Sequence, residues 1–413
     1  MKTAFFSREN INSLLLLAIM AWYIVPIVSF KLGTLGLIAM VFLWTVTCNL
    51  NRILESAKYL AFFGLWYGYM LLMWLLGLYS EGGMPAIYFF TMTAITVFPL
   101  IIFEYYSSEN KLNTVLIKRA AVIMFLISAI TTLYVLTTYP VAAKILAMSG
   151  SYVEEEKNFY LEKGCGGYGF IYSSVLLAVP LMFSKEKSKV WKFVNVFTVI
   201  LCLYTTLLSQ YTLALLISCI AIILAMFTAI KNTKNTFMIK LVFFAVFLIF
   251  ALFLPKILSI LAQALVSTGN GGLSVRLNEL ATFMNTGEQG YNLSGRTERY
   301  GMSLNLFLSK PIFGNQISGQ AVKYGGHSSV LDQLARYGVF SAVWYFVFAI
   351  YNCRRNKDKS NIVILTYLVF LALSIINTTI YTYQLGIVLF LLAPVFARRS
   401  YSPTEDTDCL DGN

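Results

Sequence analysis

The sequence predicts an all-α polytopic membrane protein of about twelve transmembrane helices, with a large, partly helical extracytoplasmic loop between spans nine and ten. Three observations carry this expectation. Apolar residues make up 58% of the 413 residues, charged residues only 12%, and mean hydropathy is +0.71, outside the balance of a soluble domain. The apolar residues come in long runs separated by polar stretches. Lysine and arginine concentrate in alternate polar stretches, the bias expected of cytoplasmic loops.

Taken in order, runs long enough to cross about 30 Å of hydrocarbon as a helix are read near 12–30, 32–48, 59–79, 84–103, 118–137, 168–183, 191–208, 211–230, 237–254, 333–351, 361–377 and 384–397. The first follows Lys2 and Arg8 like a signal peptide, but it is long, shows no clear small-residue cleavage site and is closely followed by another span. It reads as an uncleaved anchor. With the N-terminus inside, the inner segments hold 20 of the 31 lysines and arginines, whereas the four short outer loops hold only Lys31. Both termini are therefore expected in the cytoplasm. This bias accounts for most of the net charge of +12 without a nucleic-acid partner, and anionic membrane lipids are natural neighbours of the basic face.

We read residues 1–413 as one integral membrane domain with two long outer segments. Residues 138–167 carry Glu154, Glu155, Glu156 and Glu162 with Lys144, Lys157 and Lys163; residues 255–332 form a 78-residue segment with Lys256, Arg276, Arg296, Arg299, Lys310 and Lys323. Long loops are usually functional. Of six cysteines only Cys165 is expected outside, so the outer loops hold no disulfide framework, and no CxxC spacing occurs.

The second segment has helical patterning. Leu273, Leu277, Leu280, Ala281 and Met284 predict a short helix along the membrane surface, capped by Ser274 and carrying Arg276. A second helix is expected from about Thr297 to Ser309, stopped by Lys310-Pro311. On it Arg296, Arg299 and Ser303 form one stripe near the helix N-terminus. Two guanidinium groups beside free first-turn N–H groups suit phosphate. Headgroup contact by a snorkelling side chain is the alternative, stronger for Arg299 than for Arg296.

His327 is the only histidine, set in Gly325-Gly326-His327-Ser328-Ser329-Val330-Leu331-Asp332 where the polar segment meets an apolar span. It is the one side chain that ordinarily titrates near neutral pH. Ser329 and Asp332 have the spacing of a variant capping box, which starts the tenth span at about Val330. His327 then precedes a helix N-terminus, whose dipole keeps the ring neutral as a general base requires. Asp332 is a substrate-binding candidate, with helix capping as its alternative role.

These residues resemble a known family. Ser294-Gly295-Arg296, Tyr300 and Ser303, then Lys310-Pro311-Ile312-Phe313-Gly314, then the run through His327 to Asp332 and Tyr337-Gly338, look like the signature of the bacterial O-antigen polymerase and O-antigen ligase superfamily. The motif spans about 45 residues; the span count, the position of the large loop and the orientation agree along the chain. One departure stands out. The family often has a serine–arginine pair near the start of the eighth span, where this chain has Ser209-Gln210, so that Arg276 or a lysine is the candidate to share the missing arginine's work.

The resemblance implies a GT-C-like fold in the bacterial inner (plasma) membrane that joins undecaprenyl-diphosphate-linked sugar repeats on its outer face, without a metal or other cofactor. Its partners would be the polyprenyl-diphosphate-linked glycan, membrane lipids and a chain-length regulator. The residues are consistent with a metal-free reaction, because no DxD, DxE or HExxH stands on the outer side, although Glu154 to Glu156 is a possible exception better read as a solvated face. His327 is the candidate base and Arg296 the candidate catalytic cation; Arg276, Arg299, Gln210 and Asp332 are candidate substrate contacts. With no second, paired carboxylate in the loop, a single displacement would invert the anomeric carbon. Two alternatives stay open. A ligase would pass the finished glycan to a lipid or protein acceptor, and a polysaccharide flippase would carry it; the latter usually shows inverted repeats or buried ionisable residues, whereas this sequence shows no internal repeat and almost no charge inside its spans.

Overall fold

The computed structural model describes residues 8–57, 63–76, 86–108, 114–148, 153–184, 186, 188–229, 236–267, 271–288, 290–315, 322–341, 361–379 and 382–397. Among the described residues the chain is all-helical. The helices are α1 (Arg8–Ile24), α2 (Pro26–Thr47), α3 (Leu50–Ala57), α4 (Gly64–Leu75), α5 (Ala86–Ser108), α6 (Thr114–Thr138), α7 (Ala142–Ala147), α8 (Glu154–Glu162), α9 (Tyr168–Phe183), α10 (Lys189–Leu208), α11 (Thr212–Ala229) and α12 (Thr236–Ser267). They continue as α13 (Gly271–Thr286), α14 (Tyr291–Ser309), α15 (Ser329–Tyr337), α16 (Asn361–Ile376), α17 (Tyr383–Gly386) and α18 (Ala393–Ala397), the last two joined by a π-helical stretch, Ile387–Leu392.

Among the described residues, four stretches are long and apolar enough to cross a membrane: Pro26–Thr47, Phe90–Ser107, Thr114–Thr138 and Lys189–Leu208. Shorter apolar helices cover Tyr168–Phe183, Leu213–Ala225, Leu252–Val266, Ile362–Ile376 and Tyr383–Ala397. These are the features of a helical membrane protein. Helix α9 lies at the centre. It is apolar all round, every residue from Phe170 to Leu181 is buried, and α10, α11, α16 and the Tyr383–Ala397 segment pack around it. The buried run from Leu385 to Ala397 completes the core against α5 and α16.

Three boundaries differ from the expected spans. The first two spans part at Val25-Pro26, and α2 contains a non-helical residue, Gly33, at φ 59°. Helix α12 runs through Pro255 to Ser267 instead of ending near 254. A proline inside an apolar helix removes one hydrogen bond without stopping the chain when neighbours support both halves, and here Leu258 and Ala262 beyond it pack on Leu273, Leu277 and Ala281 of α13. The third concerns the expected tenth span, 333–351. Its first residues belong to the short polar helix α15, which ends at Gly338 with φ 61°; residues 342–350 lie outside the described residues.

The break at Gly338 has a packing cause. The turn after α14 presses against the C-terminal end of α15, and each side has a glycine at the contact. A Cβ at Gly314 would lie 2.2 Å from the Arg336 carbonyl oxygen, and one at Gly338 2.2 Å from that of Ile312. The backbones then bond directly, Val339 N–H to Pro311 O at 2.9 Å and Asn315 N–H to Ala335 O at 3.0 Å. Tyr69 of α4 donates to Phe313 O at 2.8 Å from below this joint. The Pro311-Ile312-Phe313-Gly314 and Tyr337-Gly338 motifs thus fasten α14 to α15.

Candidate functional site

Helix α14 packs on α15, and the segment 322–328 closes between them. Asp332, in the first turn of α15 and only 5% exposed, organises that segment. One carboxylate oxygen accepts the Ser303 hydroxyl at 2.5 Å and the Gly326 N–H at 3.2 Å; the other accepts the Ser328 N–H at 3.3 Å. The Ser303 hydroxyl oxygen in turn accepts the Gly325 N–H at 2.9 Å. Gly325 is required by the approach of α14, since a Cβ there would lie 2.1 Å from the Arg299 carbonyl oxygen.

The cap itself is one residue earlier than its spacing suggested. Ser328, not Ser329, is the N-cap and accepts the Leu331 N–H at 3.2 Å. Ser329 is the first helical residue and faces the Asn377–Thr379 bend, donating its N–H to Asn377 O at 3.0 Å and accepting the Thr379 N–H at 2.5 Å. Both oxygens of Asp332 accept hydrogen bonds from within the loop, which gives it a structural role at this cap.

His327 stands just ahead of this cap, half-buried. Its Nε2 lies 2.7 Å from Nη1 of Arg299. A guanidinium has donors only, so Nε2 is the acceptor, the proton sits on Nδ1, and the ring is neutral. Burial, then the charges of Arg299 and Arg296, push the His327 pKa below its ordinary value, with Asp332 opposing them.

Arg296, Arg299 and Ser303 do share one face of α14, as their spacing predicts: Arg299 reaches His327 and Ser303 reaches Asp332. The helix, however, begins at Tyr291, six residues before the expected start. Arg296 and Arg299 therefore lie beyond the first turn, and free N–H groups of α14 are not beside them. The Nη1 of Arg296 is buried and has no hydrogen-bond partner. Tyr300, one turn on, donates its hydroxyl to Ile376 O at 2.9 Å, and the Tyr172 hydroxyl accepts from Asn377 Nδ2 at 2.6 Å.

Arg276 is on α13, which packs along α12 instead of lying alone on a surface; Ser274 is buried inside the helix and does not cap it. Arg276 Nη1 donates to the backbone carbonyl of Gln210 at 2.8 Å. Gln210 is 3% exposed, has a left-handed backbone at φ 61°, and its Oε1 has no hydrogen-bond partner. Burial, then the Arg296 charge, lower the Arg276 pKa against the opposing influence of Tyr211 and Glu279.

The structure brings together Arg276, Arg296, Arg299 and His327 in one electrostatic neighbourhood, with Gln210 beside Arg276. It adds Lys144 of α7, whose pKa is lowered by burial and then by Arg276. Among the described residues Arg276, Arg296, Arg299 and Lys144 make no ion pair with a carboxylate; Glu154 pairs with Lys157 and Glu162 with Lys31. Sequence spacing could not place Lys144, although a lysine was one of two candidates to replace the missing arginine.

Comparison with protein-family models finds none that matches the chain, and no curated protein matches it. The functional reading therefore rests on the residues and their geometry.

Proposed function

We propose that the protein is a metal-independent, inverting glycosyltransferase of GT-C-like fold that polymerises polyprenyl-diphosphate-linked oligosaccharide repeats for a bacterial surface polysaccharide. The observation that carries this reading is the buried, unpartnered Nη1 of Arg296 close to a sole histidine held neutral. A buried N–H donor without an acceptor is costly unless a ligand supplies one. A neutral imidazole in the same site can receive a proton.

In the reaction, the acceptor hydroxyl oxygen bonds to the anomeric carbon as the bond from that carbon to the diphosphate oxygen breaks. The bonding pair leaves with the lipid diphosphate, where Arg296, Arg276 and Arg299 neutralise the growing charge. The acceptor proton goes to Nε2 of His327. Since Arg299 covers that nitrogen at 2.7 Å, it must withdraw first, and a donor diphosphate is the anion that draws it away. In this reading the 255–332 segment lies outside the plasma membrane; twelve spans and cytoplasmic termini come with it from the sequence expectation, and a chain-length regulator as partner from the resemblance.

The test is direct. Purified protein given polyprenyl-diphosphate-linked repeat units in excess EDTA should yield a ladder of longer glycans with inverted linkages. No product, or product only after magnesium or manganese is restored, would overturn the reading.

A further inference from the structure

Helix α16 ends at Ile376, and the carbonyls at the C-terminal end of an α-helix have no partner within it. Here the two helices that build the site supply the partners. The Tyr300 hydroxyl of α14, one turn after Arg296, donates to Ile376 O at 2.9 Å, and the Ser329 N–H of α15, two residues after His327, donates to Asn377 O at 3.0 Å. The Ser329 hydroxyl oxygen accepts the Thr379 N–H, and the Thr379 hydroxyl lies 2.5 Å from that of Ser374, which closes the bend back on the end of α16.

One side chain of the bend ties it to the centre of the molecule. Asn377 is 7% exposed, and its Nδ2 donates to the Tyr172 hydroxyl of α9 at 2.6 Å. Tyr172 is a fixed point, since its ring stacks on Tyr168 at 4.2 Å between centroids and meets Tyr211 edge-on at 5.9 Å. It also lies within reach of the Arg296 charge, as does Tyr300. The same bend therefore joins α9, α14 and α15. A buried amide bonded to a buried hydroxyl leaves both groups satisfied and specifies one geometry, whereas loss of either partner leaves the other wanting.

We propose that Asn377 is a positioning residue of the site: through its amide bond to Tyr172 and its carbonyl bond to Ser329 it holds the 376–379 bend, and with it the spacing between Arg296 on α14 and His327 ahead of α15. The importance of that spacing for transfer rests on the function proposed above; the mechanical link does not. Asn377 acts through Tyr300 and Ser329 and takes no part in bond making. Transfer needs the proton acceptor and the cation of the leaving group in place around one carbon at the same time, and a displacement of about 1 Å can cost about 10²-fold in rate.

The experiment uses full-length, histidine-labelled protein in nanodiscs and reads two quantities, transfer kinetics with polyprenyl-diphosphate-linked repeats and the NMR titration of His327. Asn377→Leu keeps the size of the side chain and removes the bond to Tyr172; Tyr300→Phe removes only the hydroxyl that holds α14. Each should lower kcat, by about 10²-fold in Asn377→Leu, and leave the donor KM nearly unchanged. Each should also shift the His327 titration upward, because Arg299 and Arg296 are among the causes that lower it and a loosened site carries them away from the ring. Tyr23→Phe is the control. It removes a buried hydroxyl bond of the same kind, to Ile95 O at 2.6 Å between α1 and α5, and should leave both readings at wild-type values. Thermal unfolding checks that each variant folds, and if Asn377→Leu does not, Tyr300→Phe decides. A titration unmoved in the folded variants overturns the positioning role, as does an equal shift in Tyr23→Phe. A shifted titration with wild-type kcat overturns its part in transfer. Wild-type protein that transfers nothing overturns the transferase reading, while the titration still decides whether Asn377 sets the geometry of the site.

Discussion

Nη1 of Arg299 donates to Nε2 of His327 at 2.7 Å, so the only histidine in the chain has its basic nitrogen covered by a cation. The contact fixes the tautomer and disfavours imidazolium. It also makes His327 a single, clean reporter of the site.

From this contact, Arg299→Ala should raise the His327 pKa toward its ordinary value of about 6.5, because the second of the causes that lower it is removed. Histidine-labelled protein gives one imidazole signal, whose titration by NMR reads the change. The acid limb of the rate profile should move the same way. A group whose folded pKa is depressed favours folding above its unfolded pKa and loses that contribution as pH falls, so wild type should lose stability below about pH 6.5 and Arg299→Ala should lose less. An unmoved titration in Arg299→Ala would contradict the contact.

Arg296 is expected to trade stability for function. Replacing it with methionine removes a buried donor that has no partner, and relief of such a group is worth about 1–3 kcal/mol. The ligand-free variant should therefore unfold at a higher temperature than wild type while losing transfer. Equal or lower thermal stability in Arg296→Met, measured without substrate, would mean that the guanidinium is already satisfied.

Asp332→Asn puts an NH₂ group where the Ser303 hydroxyl and two backbone N–H groups seek acceptors. A loss of about 1–3 kcal/mol is expected, read by thermal unfolding. Because Asp332 opposes the lowering of the His327 pKa, the same variant should push that pKa down further. A pKa that rises would remove Asp332 from the group's electrostatic surroundings.

Orientation is checked by cysteine substitution at Glu288, between α13 and α14, and at Lys189, the first residue of α10. In intact cells an impermeant thiol reagent should label Glu288→Cys and leave Lys189→Cys untouched, with the unsubstituted chain as control for Cys219. The reverse pattern would invert the proposed topology.

The parts of this site that were legible in the sequence share a local period. Arg296, Arg299 and Ser303 lie three and four residues apart, and that spacing alone puts them on one face of α14. The run from Gly325 to Asp332 announced a turn and a cap, and only the capping serine moved by one position. What local pattern could not reveal depends on distant contacts. Helix α12 continues past Pro255 because α13 folds back on it, and Lys144 and Gln210, far apart in the chain, both border Gly272. Gly338 breaks the expected tenth span because the turn at Pro311 and Ile312 presses on it, a contact between segments about 26 residues apart that no periodicity encodes.

The central claim is that His327 takes the acceptor proton while the arginines hold the donor. The measurement that tests it most directly compares glycan length and inorganic diphosphate affinity for wild type and His327→Ala at matched expression. The account predicts wild-type affinity with chain growth reduced by about 10² to 10⁴-fold, the usual effect of losing a general base. Full-length polymer from His327→Ala would contradict it.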